Sequence, residues 1–98
     1  MASVYQTAIE QELTQQGYDP GLAIDIYLHL LERTDRTPYN VAELTRQFIV
    51  VAKSTRKAPF DCLRIVEGAV SIAESYNLVL EDAVAQILEQ FSKPEGDE

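Results

Sequence analysis

The sequence has no tryptophan, one cysteine, one methionine and one histidine, and only 8% of it is aromatic. Each scarcity excludes something. With Cys62 alone no disulfide can close within the chain, and the redox compartment is left unconstrained. One cysteine and one histidine, His29, make no structural zinc site unless carboxylates gather from elsewhere. No stretch approaches the run of about 18 apolar residues that a membrane-spanning helix needs. The first twenty residues carry Glu10, Glu12 and Asp19, no Lys or Arg and no apolar run, so no signal peptide is expected. Met1-Ala2-Ser3 lacks the glycine that myristoylation requires. A cytoplasmic location is the default expectation.

Chemistry-bearing motifs are equally scarce. There is no Gly-rich phosphate loop, no G-x-S-x-G, and no E-x-x-H or H-E-x-x-H arrangement, and the five tyrosines are dispersed rather than gathered as a stacking platform. No convergent catalytic set, cofactor site or metal site is expected, and the chain reads as a non-enzyme.

What is present is helical period. The chain has 98 residues, 46% of them hydrophobic, enough for one core and too few for two. Ser3 is a good N-cap for a first helix over about 3–16, with Val4, Tyr5, Ala8, Ile9 and Leu13 on one stripe and Gly17 as its left-handed terminator. Asp19-Pro20 restarts the chain as N-cap and first helical residue. The second helix, about 20–33, is apolar almost all round, with Asp25, His29, Glu32 and Arg33 on a narrow polar strip. A helix of that kind belongs at the centre of a bundle or an oligomer. A polar break over 34–39 precedes a third helix beginning at Asn40, whose N-x-x-E spacing to Glu43 is a capping-box variant. Its core face is Val41, Leu44, Phe48, Val51 and Ala52, and it runs to about Arg56.

A fourth helix over about 59–76 carries two adjoining stripes, Leu63, Val66, Val70 and Ala73, then Ile65, Ala69, Ile72 and Tyr76, and stops at Asn77. A fifth over about 80–92 turns Leu80, Val84, Ile87, Leu88 and Phe91 inward. The expected architecture is all-α: a compact bundle of about five helices in a single domain over 1–93, helices two and four at its centre, followed by a flexible acidic tail over 94–98.

The net charge is −8, but it is unevenly spread. Residues 1–32 hold five acids and no Lys or Arg, residues 33–64 hold seven basic residues against three acids, and residues 65–98 hold Lys93 against eight acids. At about 100° per residue, Arg46, Lys53 and Lys57 fall within about 20° of one line opposite the core stripe of the third helix. Ile49 and Val50 flank that line, and Arg56 and Arg64 extend it. Apolar residues among basic ones on an outward face suit an interface with an acidic protein partner or a second copy of the chain. The bland alternative is a solvated face with Ile49 and Val50 covered by a neighbouring helix.

The expected function is therefore a non-catalytic, self-associating helical interaction module, a small regulatory, adaptor or assembly protein working as a homodimer or in a stable complex. Two rivals stand beside it. A nucleic-acid-associated regulator would use the same basic face. Asn40-Val41-Ala42-Glu43-Leu44 resembles the start of a helix-turn-helix, yet the apolar run passes the place where its turn belongs, and the acidic balance disfavours phosphate. A small-ligand or enzyme domain would use Cys62 and His29, although no spacing pairs them and a lone Cys is usually a small core residue. Gly68, Ser71 and Ser75 form a small-residue face that reads more simply as solvated surface.

Overall fold

Local chemistry sets where each helix starts and stops. In the computed structural model, which describes residues 3–92, α1 (Val4–Gln15) begins at Ser3, whose Oγ accepts from the Gln6 amide at 3.0 Å. It ends with Gly17 at φ +86°, where the Tyr18 amide returns to the Leu13 carbonyl at 2.9 Å, a helix-ending geometry that an L side chain would strain. Asp19 and Pro20 do open the next segment, but as a single 3-10 turn (Pro20–Leu22) with Asp19 accepting from Gly21. Helix α2 (Ala23–Arg36) therefore starts later than expected and runs three residues further. Thr34 does not break it, because its hydroxyl donates back to the Leu30 carbonyl one turn earlier, and Thr37, in extended conformation just past its end, donates to the Arg33 carbonyl. Helix α3 (Val41–Thr55) begins at Asn40, which accepts from the Glu43 amide at 2.8 Å. Helix α4 (Pro59–Tyr76) takes Pro59 at its first position and ends at Asn77 in the left-handed region, and α5 is Leu80–Ser92.

These five helices form an all-α bundle with no strand among the described residues. Each helix packs on its neighbours one and two places along the chain, so the chain zigzags between two layers. Helices α1, α3 and α5 make one layer; α2 and α4 make the other. Within the second layer His29 meets Phe60 and Arg33 meets Glu67, so α2 and α4 run parallel. One core joins the layers, with Ile9, Ile26, Leu30, Leu44, Phe48 and Leu80 among its largest fully buried side chains.

Helices two and four were expected at the centre; the structure puts α3 there. It packs closely against all four other helices, and it buries Thr45 and Gln47 along with its apolar face. Only Ala23, Ile26 and Leu30 of α2 are fully buried, while Ile24 and Leu28 are 45% and 53% exposed. Hydrophobicity counts apolar residues without saying which way they point, and α2 spends part of its apolar surface outward. Both stripes of α4 are buried in the core or packed against it, except that Tyr76 lies exposed at the helix end. Residues 93–98, with the acidic tail expected over 94–98, lie outside the described residues. No helix among those described is long and apolar enough to cross a membrane.

Candidate interaction surface

The outward sector of α3 lies opposite Leu44, Phe48 and Val51, between the flanking helices of its layer. Arg46, Val50 and Lys53 occupy it: Arg46 and Lys53 are exposed, and Val50 is 38% exposed between them. Ile49, expected to share this face, is half-buried and packs against the core instead. It lies about 60° round the helix from Arg46, close enough to the α3–α1 seam to be covered.

Below Lys53 the ridge forks. Arg56 turns toward α1, where it shares a shallow hollow with Glu12, Gln15, Gln16 and Lys53. Lys57 turns toward α5 and sets its ammonium 5.0 Å from the centre of the Phe91 ring, a cation–π distance. Arg64 does not join the ridge. One turn from Phe60 on the exposed face of α4, it belongs to the other layer.

The protein's own acids neutralise part of the ridge. Lys53 Nζ lies 3.7 Å from Glu12, a nearly buried carboxylate that also accepts from Gln16 Nε2 at 2.7 Å. Arg46 and Arg56 have no ion-pair partner among the described residues, in a chain with sixteen acids. Arg56 also ends α3 at φ +57°, a conformation that costs an L residue about 1–2 kcal/mol and that glycine adopts freely. Strained residues that persist tend to have a use. Arg56→Gly is expected to raise stability by about 0.5–1 kcal/mol in urea unfolding; no gain, or a loss, would show that the turn carries no strain.

A second surface follows from the α2 geometry. Ile24, Leu28 and Leu31 fall at i, i+4 and i+7 on the back of α2, opposite Ile26, and none of the three belongs to the core or its packed fringe. Phe60, also exposed, sits beside this helix with its ring edge-on to His29, centroids 6.4 Å apart. The all-round apolar pattern of 20–33 was the signal for this surface, but it could not say which third of the helix would face out.

The cysteine and histidine are not brought together. Cys62 is fully buried, its thiol donating to the Lys57 carbonyl at 3.4 Å with the Thr55 hydroxyl 3.9 Å away. Burial pushes its pKa above the ordinary 9.0, assisted by Asp61 and opposed by Thr55 and Lys57, which is the reverse of nucleophile activation. His29 is exposed, and its Nδ1 donates to the Asp25 carbonyl at 2.8 Å. No cluster of three or more His, Cys, Asp or Glu that would suit a metal exists among the described residues. A Cβ added at Gly68 would meet nothing within 4 Å, so none of the described helices packs closely on Gly68. Compared with protein-family models, curated proteins and solved structures, the chain matches none.

Proposed function

We propose that this chain is a non-catalytic helical interaction module that docks an acidic protein surface on the outer face of α3. One observation carries the reading. In a protein with twice as many acids as Lys and Arg, Arg46 and Arg56 make no ion pair among the described residues, and Val50 lies exposed between them. Guanidinium groups are well suited to fork-like pairing with carboxylates, and a small apolar centre between them supports contact with a protein side chain. Charges on such a rim act mainly on encounter rate and salt dependence. The same face is poor for nucleic acid. With Lys53 engaged by Glu12 and Arg64 on the other layer, too few cations remain to track a phosphate backbone.

The test uses amide NMR of the labelled full chain titrated with a polyglutamate peptide. Shifts are expected at Arg46, Val50 and Arg56, fading as salt rises and abolished in R46E/R56E, while a single-stranded DNA oligomer of similar charge leaves them unmoved. Shifts scattered over other helices, none at all, or a stronger response to the DNA would each overturn the proposal.

A further inference from the structure

The back of α2 is a different surface on the other layer, and it points to a different occupant. We infer that it is the seam of a homodimer in which the α2 helices of two copies lie antiparallel. Ile24, Leu28 and Leu31, spaced four and three residues apart, have the rhythm of a helix–helix seam; Ile24 and Leu28 are exposed, Leu31 is half-buried, and none of the three packs into the core formed by the described residues.

The flanking charges identify the partner. Asp25, His29, Glu32 and Arg36 lie along one side of the stripe, within about 60° of one another. Read forwards they run acid, histidine, acid, base, and read backwards each meets its complement. An antiparallel copy places Asp25 against the second copy's Arg36 and His29 against its Glu32, and each pair occurs twice about the two-fold axis. Both pairs share a midpoint between Leu30 and Leu31. Leu28 and Leu31, which would interdigitate with their counterparts, have theirs between His29 and Leu30, one residue or about 1.5 Å away. A parallel two-fold pair would instead put the two strips on opposite flanks of the seam, where these charges do not meet.

Nothing among the described residues competes strongly for these groups. Arg36 reaches Glu32 at 3.5 Å with both side chains mostly exposed, and a guanidinium has donors to spare for a second carboxylate. The Nδ1 bond of His29 to Asp25 leaves its other ring nitrogen unengaged by any described residue. Most closed oligomers are two-fold dimers whose contact patch must be complementary to itself, and this strip is.

Sedimentation of the full chain tests it. The wild type is expected to be dimeric at about 100 µM and Leu28→Asp monomeric at the same concentration, both with the same helical circular dichroism. Asp25→Arg and Arg36→Asp should each weaken the dimer about tenfold, and the double swap D25R/R36D should restore it to within about threefold. A wild type that stays monomeric at several times that concentration overturns the inference. So does a swap that fails to restore a dimer which Leu28→Asp dissolves. Neither result bears on the α3 ridge, whose residues all these variants leave intact.

Discussion

Phe48→Ala is expected to remove about 3–5 kcal/mol of stability, a large share of the roughly 5–15 kcal/mol that holds a domain of this size. Phe48 is fully buried and is the bulkiest residue in the core. It stands on α3, the helix that touches all the others, so a cavity there loosens both layers at once. Urea unfolding followed by circular dichroism measures the loss, with Arg46→Ala, two residues away on the outer face, expected to stay within about 0.5 kcal/mol of the wild type. A loss below about 1.5 kcal/mol for Phe48→Ala would mean that the site collapses easily and that α3 is not the hub.

The thiol of Cys62 is expected to react with an aromatic disulfide reagent at least about a thousandfold more slowly in the native protein than in urea. It is fully buried and hydrogen-bonded to Lys57, so labelling must wait for an opening whose free energy approaches that of unfolding, and about 4 kcal/mol already suppresses it a thousandfold. A native rate near the unfolded one would reopen the case for Cys62 as a nucleophile.

The raised pKa has a companion effect. Because the folded state holds the proton more tightly than the unfolded chain, the stability linked to this thiol is fully present below pH 9 and is lost as pH rises toward the folded value. Tyr39 adds to the same alkaline decline from about pH 10, its hydroxyl raised by burial and by Glu74 and Glu43. The urea midpoint should therefore fall above pH 9, and fall less steeply in Cys62→Ala. A midpoint that is flat from pH 8 to 10.5 would contradict the assignment.

Much of the fold was legible because caps and stops are local. Ser3 and Asn40 bond amides three residues on, and Asn77 closes its helix with a backbone angle its own side chain tolerates. The core face of α3 was legible for a similar reason, since a single helical period sorts Leu44, Phe48 and Val51 from Arg46 and Lys53. The candidate site was legible only in part. Arg46, Val50, Lys53, Arg56 and Lys57 lie toward the outer side of α3 and its C-terminal turn, but Ile49 packs inward and Arg64 lies on another layer. Nothing near Lys53 in sequence announces Glu12, because the pair joins two helices that only packing brings together.

Composition and period alone determined that this acidic chain is all-helical, where its helices begin and end to within a turn, and that α3 carries a basic face. Tertiary structure decided which helix stands at the centre, which third of α2 is left bare, and which cations are already taken. The division has one physical cause. Helix formation and capping are settled by contacts three or four residues apart, whereas exposure and pairing depend on which remote surface arrives to cover a face.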